Sequence, residues 1–304
     1  MTFNLSVIIC THNPRHDYLR RVLDALGRQT LPLNQWELLL IDNASHENFA
    51  ERFDLSWHPH AHQIREHELG LTPARLRGIR EGAGELLVFV DDDCVLDPSY
   101  LKITLNIARE YPFLGAWGGQ CIPESERQFE SWHQLMFGHL GVRYLDRNLW
   151  SNHLFDGHTL PAGAGMTVRR SVAEQYAKEV QACAIRKSFD RAGRLLFSCG
   201  DYDLAMTGLK MGFGAGLFVD LKLIHLIPAN RLEMPYLLRL AEDARYSRCI
   251  LNFLYGRRPD APPPWYRRLM RIFKLCLRPR NERAIALAFL RGETAGREWV
   301  RKHS

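Results

Sequence analysis

Three adjacent carboxylates are the first feature of the sequence that could carry chemistry. Asp91, Asp92 and Asp93 follow directly on Leu86–Val90, an apolar run with the composition of a buried strand. Like charges at the edge of a buried sheet repel one another and resist desolvation. A positively charged group or water is therefore expected beside these carboxylates. The candidates are a divalent cation, a cluster of basic residues and water. Hard carboxylate oxygens at this spacing favour Mg²⁺ or Mn²⁺, which keep coordination positions open for phosphate oxygens.

Two more polar segments follow apolar runs in the same way. Leu5–Cys10 precedes Thr11, and Trp36–Ile41 precedes Asp42. Helical patterns such as Pro73–Arg80 separate the apolar runs, which predicts an α/β fold with a mostly parallel, Rossmann-like sheet flanked by helices. Ligands of such sheets bind outside the carboxyl ends of the strands. The three polar segments are therefore expected to line one crevice.

The segment after the first predicted strand excludes two common nucleotide-binding motifs. Residues 10–17 contain no glycine, whereas dinucleotide-binding folds and P-loop proteins place several glycines at this point. A nucleotidyltransferase on a related fold is disfavoured for the same reason, because such enzymes usually begin with a glycine-rich phosphate loop.

Three segments of the second half offer candidates that the residues alone leave open. Pro161–Met166 is rich in small residues, which suits either close approach to a ligand or a flexible turn. Asp201 begins a helical pattern, where a carboxylate commonly caps the helix. His225 lies inside an apolar run, where a histidine is usually a core residue.

Read together, these segments resemble glycosyltransferases of family 2 with the GT-A fold. The resemblance spans about residues 3–230 and depends on the order of VIICTHNP, LLLIDNAS, GLTPARLRGI, LLVFVDDD, PAGAGMTVRR, CGDYDLAM and the isolated His225. It implies an inverting enzyme of the hexosyltransferase type. Such an enzyme uses a nucleotide-sugar donor and Mn²⁺ or Mg²⁺ as cofactor. The donor that the family usually takes favours a UDP-sugar.

The resemblance also implies roles for the acidic residues of the first half. Asp91 and Asp93 match the DxD motif of the family. Asp93 is then the direct metal ligand, and Asp91 or Asp92 lies near the ribose. Asp42 matches the acid that recognises the nucleotide base, and Thr11 lies in the loop that touches this base.

Further roles follow from the same resemblance. Arg75 matches the arginine beside the nucleotide, although Leu76 stands where the family often has Asn. Gly163 belongs to the loop beside the donor sugar and the acceptor. Asp201 matches the catalytic base, with Gly200 in place of the usual Glu, and Asp203 is the second candidate for that base. His225 is expected to complete the metal site.

Three segments are expected along the chain. Residues 1–118 would form the nucleotide-sugar-binding half of the GT-A domain, and residues 119–230 its acceptor-binding and catalytic half. Residues 231–304 would form a basic helical C-terminal extension. His58, His60 and His62 lie in a polar connection containing Pro59 and are interpreted as an exposed loop.

The C-terminal segment carries most of the positive charge. Residues 264–304 contain nine Arg and two Lys against three Glu, in a chain whose formal net charge is +6. An apolar stripe that begins at Trp265 alternates with basic residues, which is typical of a helix on an anionic membrane surface or of a helix packed on the catalytic domain. The competing interpretation, a non-catalytic protein that binds nucleotides or polyanions, conflicts with the ordered acids, so no nucleic-acid partner is expected.

The compartment is predicted from what the sequence lacks. The seven cysteines are odd in number and contain no CxxC pair, which disfavours a disulfide framework and a zinc site. The N-terminus has no signal-peptide pattern, and no run reaches the length of a membrane span. A cytoplasmic protein is expected, with the tail as a peripheral contact to the inner face of the membrane. The acceptor would be a glycan or a lipid-linked molecule in polysaccharide, glycolipid or other glycoconjugate synthesis.

Overall fold

The described part of the chain divides into two compact units. A computed structural model describes residues 3–46, 52–189, 198–258 and 264–304. The first unit holds the described residues up to Glu124, those from Gly141 to Phe189, and Gly200–Leu226. The second unit holds Ser125–Leu140, residues 198–199 and the described residues from Ile227 onward. The three-segment division expected from the sequence remains a prediction.

The first half of the sheet in the first unit is parallel. Its strands lie in the order β3-β2-β1-β4; their bounds are β1 (Leu5–Thr11), β2 (Trp36–Asn43), β3 (Ala61–Glu66) and β4 (Leu86–Asp91). All residues of β2 and all but one of β1 are buried, because helices cover both faces of the sheet. These helices are α1 (His16–Gly27), α2 (Leu71–Glu81) and α3 (Tyr100–Glu110). The three apolar runs are thus the central strands that the sequence predicts.

The second half of the sheet is antiparallel. β8 pairs with β4 and β6, and β9 pairs with β5 and β7; the bounds are β5 (Cys94–Leu96), β6 (Leu114–Ser125), β7 (Leu149–Ser151), β8 (Met166–Arg169) and β9 (Gly214–Ile227). Three helices complete this half: α4 (Arg170–Ala182), α5 (Ala184–Lys187) and α6 (Gly200–Lys210). The predicted α/β class is confirmed, and the parallel strands form the half that carries the first three polar segments.

The interpretation of the three histidines as an exposed loop is wrong for His58 and for His62. His58 is only 3% exposed, and its ring packs edge-on against Trp36 with 4.2 Å between the ring centroids. His62 is exposed but belongs to β3, which adds to β2 as an edge strand. The polar composition of β3 hides it from pattern analysis. Burial disfavours the charged imidazole and lowers the pKa of His58 to about 4.

Helices dominate the second unit, which confirms the predicted helical extension. It contains a 3-10 helix, Ser131–Leu140, and the helices α7 (Met234–Leu254), α8 (Trp265–Cys276) and α9 (Arg280–His303). α7 and α9 approach closely at two glycines of α9. A Cβ on Gly292 would lie 2.1 Å from the carbonyl oxygen of Glu242, and one on Gly296 would lie 2.6 Å from Cβ of Cys249. Larger side chains at these two positions would push the helices apart.

Two further expectations from the sequence concern disulfide bonds and membrane-spanning helices. All seven cysteines fall within the described ranges, and none of them forms a disulfide there. Among the helices of the described ranges, none has the length and apolar composition needed to cross a bilayer.

Candidate functional site

The three polar segments meet at one edge of the parallel sheet. Thr11 lies opposite Asp42 in the β1–β2 pair, and Cys10 lies opposite Asp91 in the β1–β4 pair. The hydroxyl of Thr11 donates a hydrogen bond to Oδ2 of Asp92. This contact ties the end of β1 to the carboxylate that directly follows β4.

Unusual backbone conformations cluster around the predicted site residues. Within the described ranges, three non-glycine residues have a positive φ: Asn13 at 48°, Ala44 at 53° and Cys199 at 100°. Asn13 and Ala44 follow β1 and β2, and Cys199 directly precedes α6. Such conformations cost of order 1–3 kcal/mol and collect at functional sites, where the surrounding structure enforces them.

Asp42 is held by two donors at the end of β2. Asp42 is only 7% exposed. Oδ2 accepts a hydrogen bond from Nη1 of Arg65 at 2.6 Å, and Oδ1 accepts one from the amide of Ser45 at 3.0 Å. Arg65 lies opposite Asp42 in the β2–β3 register. The sequence pattern predicts neither β3 nor this partner of Asp42. The two donors fix the carboxylate in one orientation.

Asp93 and His225 form a buried pair at the start of β5. The two residues are 6% and 8% exposed, and 3.5 Å separates Oδ2 of Asp93 from Nε2 of His225. The antiparallel β5–β9 register creates this pair because it places Cys94 opposite His225. Burial disfavours a charged imidazole, but the Asp93 carboxylate outweighs it and raises the pKa of His225 to about 10. Without a metal, the imidazolium therefore balances the buried carboxylate.

The same residues fit a divalent cation. Asp93, Cys94 and His225 each offer a ligand atom, and these atoms lie within 4.8 Å of one another. A carboxylate oxygen suits Mg²⁺ and Mn²⁺, and an imidazole binds several other first-row divalent ions. Burial, with the Asp93 charge next in importance, raises the pKa of the Cys94 thiol well above its usual range. Sulfur is also a soft ligand, which hard ions such as Mg²⁺ and Mn²⁺ disfavour. The sequence did not single out Cys94, whose role depends on the strand register.

Asp201, Gly163 and Arg75 converge at a second position of the first unit. The amide of Gly163 donates to Oδ2 of Asp201 at 3.0 Å. A Cβ added to Gly163 would lie 2.5 Å from Nη2 of Arg75 and 3.4 Å from Cβ of Asp201. Arg75 is only 4% exposed, which excludes a surface role for this helix residue. Tyr100 steadies the glycine loop by donating a hydrogen bond to the carbonyl oxygen of Gly165 at 2.6 Å.

The second candidate for the base, Asp203, lies in a different environment. Asp203 is fully buried, and its Oδ1 accepts a hydrogen bond from Nη1 of Arg186 at 2.8 Å. Arg186 also pairs with Glu179 at 2.9 Å, so Asp203 belongs to an internal ion cluster. Asp201 is half-buried, and its Oδ1 accepts the amide of Tyr202 at 2.8 Å. Of the two carboxylates, only Asp201 is open to a substrate, and it also stabilises the first turn of α6.

The sequence is similar to glycosyltransferases. A sequence profile described as glycosyl transferase family 2 matches residues 6–176. The chain is 31% identical over 101 residues to Glycosyltransferase AglE of Haloferax volcanii, a match covering 32% of this chain and 33% of that protein. It is 30% identical over 111 residues to the uncharacterized glycosyltransferase YibD of Escherichia coli, covering 36% of this chain and 31% of YibD. These matches span about a third of the length of each relative.

Solved structures show the same architecture. The mannosyltransferase PcManGT from Pyrobaculum calidifontis, in complex with GDP-Man and Mn²⁺, matches with a TM-score of 0.57 and 18% identity over 100% of this chain and 79% of that chain. S. aureus TarS 1-349 in complex with UDP matches with a TM-score of 0.51 and 13% identity over 100% of this chain and 92% of that chain. At these identities the likeness concerns the fold, which is GT-A.

Proposed function

The chain belongs to glycosyl transferase family 2, and we propose that it moves a sugar from a nucleotide diphosphate donor to an acceptor hydroxyl with inversion at the anomeric carbon. The observation that carries this proposal is the buried pair of Asp93 and His225 beside the carboxyl ends of the parallel strands. A carboxylate and an imidazole held together at the ligand edge of an α/β sheet suit a cation that binds a diphosphate.

The donor would bind along the edge of β1, β2 and β4. Asp42 and Thr11 would contact the base, and Asp91 or Asp92 would contact the ribose. The buried guanidinium of Arg75 would lie beside the diphosphate, where a fixed cation is most useful. A UDP-sugar is the favoured donor. The complexes of two GT-A neighbours with GDP-Man and with UDP support a nucleotide-sugar donor for this chain.

Asp93, with Asp91 and His225, would hold Mn²⁺ or Mg²⁺. The ion would neutralise negative charge on the departing nucleoside diphosphate. His225 must give up its proton to become a ligand, so binding of the ion would release a proton.

Asp201 would act as the general base. As the acceptor oxygen bonds to the anomeric carbon, the bond from that carbon to the diphosphate oxygen breaks, and the hydroxyl proton passes to the Asp201 carboxylate. The amide of Gly163 orients this carboxylate through Oδ2. A single displacement needs one base and inverts the configuration, and Asp201 is the accessible one of the two carboxylates considered for that role.

The acceptor would be a glycan or a lipid-linked molecule, in polysaccharide or other glycoconjugate synthesis. We place this reaction in the cytoplasm, where the basic segment 264–304 would contact an anionic membrane surface.

A donor panel tests the proposal directly. UDP-, GDP- and dTDP-sugars are titrated with Mn²⁺ or Mg²⁺, and bound donors are then assayed for slow hydrolysis without acceptor. At least one donor should bind and be hydrolysed. Binding of nucleotides without any turnover would indicate a non-catalytic nucleotide-binding protein instead, and no binding of any donor would contradict the proposed function altogether.

A further inference from the structure

α8 exposes an apolar face to solvent. Trp265 is 73% exposed, Phe273 is 66% exposed, and Leu277, directly after the helix, is 70% exposed. Tyr266 and Met270 add to the same surface at 47% and 53%. Scattered exposed apolar residues are ordinary, but five within thirteen positions of one helical segment form a patch, and such patches mark interaction sites.

The same segment is strongly basic. Residues 264–280 contain six Arg or Lys and no Asp or Glu. Lys274 and Arg278 are exposed and lie one helical turn apart, so they share a face of the segment. Exposed aromatic and aliphatic side chains beside such a density of cations are the composition of helices that lie in the interface of an anionic bilayer.

A groove between α8 and α9 brings apolar walls and two cations together. Its volume is about 440 Å³. Lys274 and Arg278 line it from the α8 side, with Met270 and Leu275 beside them. The α9 side is apolar and is made by Ala286, Phe289 and Leu290. Cations at the rim of an apolar cleft complement a molecule with an anionic head and a hydrocarbon chain.

We propose that this groove binds the phosphate headgroup of an anionic phospholipid, while Trp265, Phe273 and Leu277 insert into the bilayer interface. Lys274 and Arg278 hold the phosphate, and Phe289 and Leu290 contact the upper part of the acyl chain. This inference rests on the proposed membrane contact of residues 264–304, and it does not depend on the proposed transfer reaction. Nucleic acid would also satisfy the cations, but it would leave the aliphatic residues exposed to water.

Vesicle co-sedimentation of the full chain tests the proposal. The protein is mixed with vesicles of phosphatidylcholine alone and with vesicles that also contain phosphatidylglycerol. The double variant K274Q/R278Q removes the two groove cations. The matched control K102Q/R109Q removes two exposed cations from α3, outside residues 264–304, and changes the net charge equally. A second variant, W265S/F273S, removes the two most exposed aromatic side chains of the apolar face.

The wild type and the control should bind vesicles that contain phosphatidylglycerol and ignore pure phosphatidylcholine. K274Q/R278Q should bind them on the order of 30-fold more weakly, because two basic contacts are lost. W265S/F273S should also bind weakly, which separates insertion from simple charge attraction. Inorganic phosphate should not displace the protein from the vesicles; displacement would show that a free phosphate ion is the ligand.

Four results would overturn the inference: no vesicle binding by the wild type, wild-type binding by K274Q/R278Q or by W265S/F273S, an equal loss in the control pair, or displacement of the protein from the vesicles by inorganic phosphate. Donor titration of the same proteins tests the proposed function separately from lipid binding. If the wild type binds and hydrolyses a nucleotide sugar but never binds vesicles, the lipid site is wrong and the transfer reaction stands. If the wild type binds vesicles but no donor, the lipid site stands and the proposed transfer reaction is wrong.

Discussion

Gly163 offers a sharp test of the second cluster of the site. A methyl group at this position would lie 2.5 Å from Nη2 of Arg75, whereas an ordinary contact needs about 3.5 Å. The guanidinium must therefore move by about 1 Å. The backbone of Gly163 does not have a positive φ, so alanine is tolerated locally, and the atom that moves is the end of a flexible side chain. The fold should survive Gly163→Ala while the position of Arg75 changes.

A displacement of about 1 Å at a substrate-positioning group can lower the rate on the order of 10²-fold, or about 2.7 kcal/mol of transition-state stabilisation. We expect kcat/KM for the best donor to fall by this amount in Gly163→Ala, with the melting temperature nearly unchanged. Gly157→Ala is the matched control, because a Cβ there meets no atom within 4 Å. If the loss acts through Arg75, Gly163→Ala should cost little more in an Arg75→Ala background. Wild-type kcat/KM in Gly163→Ala would refute the placement of Arg75 at the donor.

Two other perturbations address the base and the buried histidine. Asp201→Asn should bind donor as the wild type does but turn over on the order of 10²-fold more slowly or worse, as measured by binding and single-turnover assays; unchanged turnover would remove Asp201 from the mechanism. The pKa of His58 is about 4 when folded and about 6.5 when unfolded, so the unfolded chain binds more protons in acid. This contribution to stability is complete above about pH 6.5 and is lost as the pH falls to about 4, by up to about 3 kcal/mol. Denaturant unfolding at several pH values should show a smaller acid loss in His58→Asn than in the wild type or in the control His153→Asn, which replaces an exposed histidine. Equal losses in all three proteins would contradict this role of His58.

The strands that position the site were predictable because their signals are local. β1, β2 and β4 are apolar runs that end in polar residues, and the order of strands in a parallel sheet places those ends together. Asp42 and Asp91 could therefore be assigned to one crevice from the sequence alone.

The partners of these residues were not predictable, because they depend on register. Arg65 reaches Asp42 only through the β2–β3 pairing, and β3 has neither an apolar run nor clear alternation. Cys94 meets His225 only through the β5–β9 register, across about 130 residues of chain. A periodic pattern gives the face of an element but not the residue opposite it.

The C-terminal helices illustrate the same limit. The basic amphipathic pattern of residues 265–276 predicts α8 as a helix, which the structure confirms. The groove with α9 depends on how the two helices pack. For that reason the lining by Lys274, Arg278 and Phe289 appeared only in the structure.

Calorimetric titration of donor into metal-free and Mn²⁺-loaded protein tests the central claim, that Asp93 holds a cation against the donor diphosphate. Asp93→Asn removes the buried ligand, and Asp24→Asn, an exposed carboxylate on α1, is the matched control. The account predicts that a chelator abolishes tight donor binding, and that Mn²⁺ restores it in the wild type and in Asp24→Asn but not in Asp93→Asn. Equally tight donor binding by chelated wild-type protein, or full rescue of Asp93→Asn by Mn²⁺, would contradict it.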